Sequence, residues 1–258
     1  MRMHLAGVEM CMNGIKFNIP FHKDTLVLVS FYHCSEQTMN CLKSKVDAEN
    51  ILLDSGAFTF RTKGLKGTNI DDYTTNYINF INKFNIDKFF EMDIDMTAEE
   101  LPKVKQLRDR IEKETGKKCI PVWHKTRGVE EWKELVENYD YIAIGGITSA
   151  LDKRYAEMIK KLVAYANSKG VKVHGLGYNR RDFLDFGFYS VDATSWQGIR
   201  YGTVWTWDEE RQVPVQKMPK HFGKDRVKTD RQVDVTKNNY EIWYKYQKII
   251  KHKGYWRE

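Results

Sequence analysis

The sequence predicts an α/β chain folded as a (β/α)8, TIM-like barrel with a basic C-terminal extension. Three observations carry that expectation. Eight short apolar runs bounded by turn residues recur between positions 3 and 191, the pattern of buried parallel strands. Amphipathic helical patterns separate most of them, which implies crossover connections between parallel strands. The length, 258 residues, matches the roughly 250 that such a barrel needs. A doubly wound open sheet fits the same alternation, and the count of eight favours the barrel.

In chain order the strands are read at Met3 to Ala6, Leu26 to Phe31, Ile51 to Leu53, Lys88 to Met92, Cys119 to Trp123, Tyr141 to Ile144, Val171 to His174 and Tyr189 to Val191. The helical patterns use Tyr73, Tyr77, Phe80, Ile81 and Phe84; Leu101, Val104, Leu107 and Ile111; Val129, Trp132, Leu135 and Val136; and Tyr155, Met158, Ile159, Leu162 and Ala166. Each set recurs at three- and four-residue intervals and so forms one apolar stripe. After Trp196 the alternation stops. Residues 197–235 read as irregular, with Gly198, Gly202, Pro214, Pro219 and Gly223, and a last amphipathic helix is expected from Val235 to Lys251. Residues 1–196 are therefore read as the barrel, and residues 197–258 as an extension packed on it rather than an independent domain.

Composition is that of an ordinary soluble chain, with no apolar run of membrane-spanning length and no cleavable signal pattern, so a cytoplasmic setting is expected. Cys11, Cys34, Cys41 and Cys119 lack the close paired spacing of a zinc site and are read as free thiols. The net charge of +7 is uneven: residues 211–257 hold thirteen Lys/Arg against four Asp/Glu, a local +9, so the remainder is slightly acidic. A basic segment on a near-neutral body is either an electrostatic footprint for a polyanion or a solvated helix face.

The carboxyl ends of parallel strands are where ligands gather. Here they read Asp54-Ser55-Gly56, Asp93-Ile94-Asp95, His124-Lys125, Gly145-Gly146, His174-Gly175 and Asp192. Asp192 ends the apolar run Phe186 to Val191 and is followed by Ala193-Thr194-Ser195-Trp196. A carboxylate there is costly unless hydrogen-bonded, which marks it as a site candidate; a turn or helix cap is the plainer reading. Two carboxylates on separate strands, Asp54 and Asp192, allow displacement at a sugar carbon in which one attacks and the other moves a proton. A third, Asp93 or Asp95, can accept two donors from an amide-like base edge, unless it caps the following helix, where Thr97 and Glu100 offer a competing capping box. Gly145 and Gly146 expose backbone N–H groups or make a tight turn. His124 and His174 are each structural or base-contacting, and they have no nearby partner for a metal. Residues 59–72, with Arg61, Lys63 and Lys66, read as a basic loop over the site or a plain connection. No phosphate-binding glycine loop is present.

Taken in order, LLDSGAFTF at 52–60, FFEMDID at 89–95, IPVWH at 120–124, YIAIGGI at 141–147, VHGLGY at 173–178 and YSVDATSW at 189–196 resemble the tRNA-guanine transglycosylases. The similarity is greater to the shorter phage and bacterial relatives that insert 7-deazaguanines into DNA. The resemblance spans about two thirds of the chain. It implies a (β/α) barrel in which Asp192 attacks C1′ of a guanosine, Asp54 is the general acid/base, Asp93 recognises the base and Gly146 donates to its carbonyl oxygen. His124 falls near the position of a base-contacting glutamine, and Asp95, Gly145 and His174 flank the same site. No cofactor or metal is implied. The tRNA enzymes carry a zinc site with clustered cysteines near the C-terminus, whereas no cysteine follows Cys119 here, which favours DNA over RNA as the partner. The basic segment, with Phe222, Trp243, Tyr255 and Trp256, would grip the polymer, and Trp196 would stack on a flipped base. The alternatives are an N-glycoside hydrolase on the same barrel and a silent barrel that binds nucleic acid or a deazaguanine. Oligomeric state is not read from the sequence.

Overall fold

The computed structural model describes residues 1–12, 19–64, 68–94, 97–147, 153–178, 180, 182–197, 204–217 and 229–256. Seven strands form one parallel sheet: β1 (Arg2–Ala6), β2 (Val27–Ser30), β3 (Ile51–Asp54), β4 (Val122–Trp123), β5 (Tyr141–Ile144), β6 (Lys172–Gly175) and β7 (Ser190–Ala193). Their spatial order is β3-β2-β1-β7-β6-β5-β4. The first strand thus pairs with the last, and every other neighbour is consecutive in sequence, a cyclic order rather than that of a doubly wound sheet. The sheet is curled and flanked by helices, a TIM-like arrangement.

The run expected as a strand at Lys88 to Met92 is recorded only as parallel bridges, Leu53 with Phe89 on one side and Phe90 with Ile120 on the other. It lies between the two edge strands β3 and β4. Its side chains still alternate: Phe90 joins Ala6, Leu28, Leu52, Val122 and Ala143 in a cluster on the concave side of the sheet, while Phe89 belongs to the larger outer core. A physical reason for the missing ladder is visible. The Val122 N–H, which a ladder would use, donates instead to Oε1 of the buried Glu91 at 2.8 Å. Glu91 is itself held by Arg108 and Arg127, each at 2.6 Å.

Among the described residues eight α-helices flank the sheet: α1 (Glu9–Met12), α2 (Glu36–Lys45), α3 (Ala57–Lys63), α4 (Ile70–Phe84), α5 (Leu101–Thr115), α6 (Gly128–Asn138), α7 (Lys153–Ser168) and α8 (Thr229–Ile250). The four expected amphipathic patterns are α4 to α7, with their apolar stripes toward the sheet except for Val129 at the start of α6, which is exposed. Local chemistry sets their ends: the Asn69 side chain accepts the Asp72 N–H to start α4, and Gly116 in the left-handed region ends α5.

The region after Trp196 departs from the irregular segment expected. Val204–Asp208 (β8) and Val213–Lys217 (β9) form an antiparallel hairpin, and α8 begins at Thr229, six residues before the expected Val235. Gln247 of α8 donates to the carbonyls of Met3 and Leu26, and Tyr240 binds Thr25, so this helix docks on the strand starts of β1 and β2. The four cysteines are free thiols. Among the described residues no helix is long and apolar enough to cross a membrane.

Candidate functional site

Parallel strands deliver all their carboxyl ends to one rim, and there a cleft of about 610 Å³ opens. Asp54, Asp93, His124, Gly145 and Gly146 line it, together with Arg61 and Phe58. Four of the six strand-end segments expected from the sequence therefore meet in its lining, and Asp192 is not among the lining residues.

Asp54 is the last residue of β3, and its Oδ2 accepts the Gly56 N–H at 3.1 Å. Glycine is required at 56: φ is +68°, and a Cβ there would lie 2.6 Å from the Tyr32 Cβ. Burial pushes the Asp54 carboxyl up to about 7, the negative charges of Asp93 and Asp192 add to that rise, and the Gly56 N–H opposes it. The same interactions place all three carboxylates within electrostatic reach of one another. A carboxyl poised near neutrality can both give and take a proton.

Asp192 stands in the middle of β7, opposite His4 of β1, with a side chain 9% exposed. It caps no helix. Its Oδ1 accepts the Gly177 N–H at 2.6 Å and faces His174 Nε2 at 3.2 Å. Oδ2 has no hydrogen bond among the described residues. Two donors on one oxygen leave the other for chemistry.

Asp93 is not a helix cap, because Thr97 and Glu100 form the capping box of the next helical turn. Its Oδ1 takes a 3.4 Å bond from Ser55 Oγ, and its Oδ2 lies 3.4 Å from His124 Nε2. That second approach lacks hydrogen-bond alignment, so the buried Nε2 remains without a partner. The His124 ring occupies the space beside Gly145, where a Cβ would come within 2.4 Å of Cε1. Room for the imidazole therefore explains Gly145. The N–H of Gly145 is taken by the Trp123 carbonyl, whereas that of Gly146 makes no bond among the described residues and remains the donor at this strand end.

Three sequence expectations are corrected. His174 is wholly buried and lies under Asp192 rather than in the cleft wall, because Ser190 and Asp192 hold both ring nitrogens. Trp196 is also wholly buried, with Nε1 donating to the Ala6 carbonyl at 2.9 Å, so it is core rather than a stacking surface. Lys63 is exposed on α3 and does not line the cleft. Arg61 does line it, bound to the Ile94 carbonyl and paired with Glu100 at 2.8 Å, and it tethers α3 to the loop bearing Asp93. Asp95, Lys66 and Phe222 lie outside the described residues. Of the remaining C-terminal aromatics, Trp243 is buried, Trp256 donates to Asn167, and Tyr255 is exposed. Lys245 and Lys248 of α8 pair with Glu209 and Asp24, which neutralises part of the basic stretch.

Two residues were missed. Phe58 is 64% exposed at the cleft, and an apolar ring left in water beside a pocket is a surface for a planar ligand. Glu9, two residues beyond the β1 turn, is 2% exposed with Oε2 unpartnered. Burial pushes it up to about 7, and its charge reaches Asp54. An acid inside the apolar run Leu5 to Cys11 meets the same criterion that singled out Asp192, and would have found it.

Among the described residues no three His, Cys, Asp or Glu side chains are grouped for a metal ion. No family model matches the chain, and no curated protein matches it. Among solved structures it is similar to the carboxyl transferase domain of pyruvate carboxylase from Rhizobium etli, with TM-score 0.45 and 16% identity over 86% of this chain and 42% of that one. It is also similar to octameric ribulose-1,5-bisphosphate carboxylase/oxygenase from Pyrococcus horikoshii OT3, with TM-score 0.29 and 16% identity over 50% of this chain and 33% of that one. The chain thus spans less than half the length of either structure, and neither likeness bears on the chemistry of the cleft.

Proposed function

We propose that this chain is a guanine transglycosylase that exchanges guanine for a 7-deazaguanine in DNA, through a covalent glycosyl-aspartate on an eight-stave (β/α) barrel. Residues 88–92 would be the eighth stave, in keeping with their bridges to both edge strands. The observation that carries the reading is the pairing of Asp54 and Asp192 across one rim: the first is poised near 7 and the second has one oxygen clamped and the other open.

In the proposed sequence Asp192 Oδ2 attacks C1′, the C1′–N9 bond breaks, and protonated Asp54 gives its proton to N9 of the departing guanine. The incoming base then loses its N9 proton to ionised Asp54, its N9 attacks C1′, and the ester bond to Asp192 breaks. Two displacements restore the sugar's configuration and the enzyme. Asp93 accepts from the base's N1–H and exocyclic amine, Gly146 N–H donates to its carbonyl oxygen, His124 Nε2 supplies the remaining polar edge, and Phe58 stacks on the ring. Arg61 and Lys125 line the cleft with positive charge suited to a phosphate backbone. Absence of a cysteine cluster after Cys119 favours DNA over RNA.

The test incubates DNA or RNA with labelled guanine or 7-deazaguanine, followed by mass spectrometry of the denatured protein. Wild type is expected to return label to DNA and to carry a sugar-linked mass on Asp192; Asp192→Asn should do neither while folding normally. Undiminished exchange by Asp192→Asn removes the proposed nucleophile. Guanine release without return of label makes the protein a hydrolase. DNA binding with neither release nor adduct makes it a silent barrel.

A further inference from the structure

We infer that Tyr141, Ser190 and His174 form a one-way hydrogen-bond chain that orients the Asp192 carboxylate, making His174 a positioning residue for the attacking oxygen. This deepens the glycosyl-aspartate reading and rests on it.

The links are short and consecutive. Tyr141 Oη lies 2.5 Å from Ser190 Oγ, Ser190 Oγ lies 2.6 Å from His174 Nδ1, and His174 Nε2 lies 3.2 Å from Asp192 Oδ1. Strand geometry aligns them. Ser190 and Asp192 are two residues apart on β7 and so share a face, and His174 of β6 is in register with Ser190. Ser190 and His174 are wholly buried. Phe90 and His4 wall the imidazole, with ring centroids 5.3 and 5.9 Å away. Burial keeps the His4 ring neutral by holding its pKa well below the usual histidine range.

With His174 taken as neutral, valence fixes the direction of the chain. An ionised carboxylate only accepts, so the Nε2 of a neutral His174 carries the ring proton and Nδ1 must accept. Ser190 then spends its single hydroxyl proton on Nδ1, and its oxygen accepts from the Tyr141 phenol. Every donor points toward Asp192. With the Gly177 N–H also on Oδ1, rotation of the carboxylate would break two bonds, so Oδ2 is held in one orientation. Partners of this kind, which act by orienting a reacting group, change rates by about 10- to 100-fold when removed from comparable sites.

The chain also crosses the sheet's concave interior. Tyr141 is the first residue of β5, and its ring lines a cleft of about 80 Å³ at the opposite end, among Arg2, Lys88 and Lys172. The site carboxylate is therefore braced from the far mouth.

Two measurements test the chain. Nitrogen-15 NMR of histidine-labelled protein, with His174 assigned by its loss in His174→Gln, should show a neutral ring protonated at Nε2. A ring protonated at Nδ1, or at both nitrogens, overturns the direction. The rate of covalent adduct formation should fall about 10-fold or more in Ser190→Ala and less in Tyr141→Phe. It should fall about 100-fold in His174→Leu and recover in part in His174→Gln, which keeps a donor and an acceptor, with KM for DNA unchanged throughout. Wild-type rates in both Ser190→Ala and His174→Leu overturn the positioning role. A wild-type protein that forms no adduct defeats the glycosyl-aspartate reading instead, and the NMR result still decides the chain.

Discussion

Replacing Glu9 by Gln should make the protein more stable above neutral pH and slightly less stable in mild acid. Glu9 is 2% exposed with one carboxylate oxygen unpartnered, and burial raises its pKa from 4.5 to about 7 against the pull of its own and the Ser30 N–H. In the unfolded chain the carboxyl ionises near 4.5, so between that value and about 7 the folded protein holds a proton the unfolded one has lost. Stability from this group is therefore complete below 4.5, falls as pH rises through 7, and is flat beyond. At about 1.4 kcal/mol per unit the loss amounts to about 3 kcal/mol. Glutamine carries no such charge, although its amide N–H2 needs an acceptor at a cost of about 1 kcal/mol. Urea unfolding of both proteins from pH 4.5 to 8.5 should show the variant gaining about 3 kcal/mol relative to wild type across that range, from about 1 kcal/mol less stable at the acid end to about 2 kcal/mol more stable at the alkaline end. A difference that stays constant with pH would refute the burial argument.

Asp54 should impose an alkaline limb on the first chemical step: adduct formation falls as pH rises through about 7, because only the protonated carboxyl assists guanine departure. Glu9→Gln should move that midpoint down, since one of the charges raising Asp54 is gone; stopped-flow or quench measurements across pH read both. Gly145→Ala places a Cβ 2.4 Å from the His124 ring, so His124 must leave Asp93, base affinity should weaken, and overpacking should cost about 1–3 kcal/mol by chemical denaturation. Glu91→Ala removes the carboxylate that pairs with Arg108 and Arg127 and frees the Val122 N–H, a loss of about 3–5 kcal/mol visible by calorimetry. Trp196→Phe should cost about 1 kcal/mol for its hydrogen bond to Ala6 and leave DNA affinity unchanged; a large loss of affinity would return Trp196 to the ligand surface.

Patterns within a dozen residues were legible because they record local physics. The stripes of α4 to α7 are set by which face must be buried, and the apolar runs of β1 to β3 and β5 to β7 by burial on both sides. Local reading failed where a distant group intervenes. The run at 88–92 has strand composition, yet the Glu91 side chain takes the Val122 N–H that a ladder needs. The β8–β9 hairpin was obscured by Pro214 inside a strand, although Val204 to Asp208 alternates as a strand should.

By itself the sequence determined the alternation of strands and helices and the delivery of Asp54, Asp93, His124, Gly146 and Asp192 to one set of strand ends, since parallel strands share a direction. Only the tertiary structure decided which of those groups face the cleft and which stand behind it. Asp54 rises toward neutrality because the folded chain buries it and brings the charges of Asp93, Asp192 and Glu9 near it. His174 turns inward because β6 lies beside β7, and Trp196 because β7 lies beside β1. Charge proximity and the choice of hydrogen-bond partner depend on distances between residues far apart in the chain, and those distances exist only once the sheet has curled.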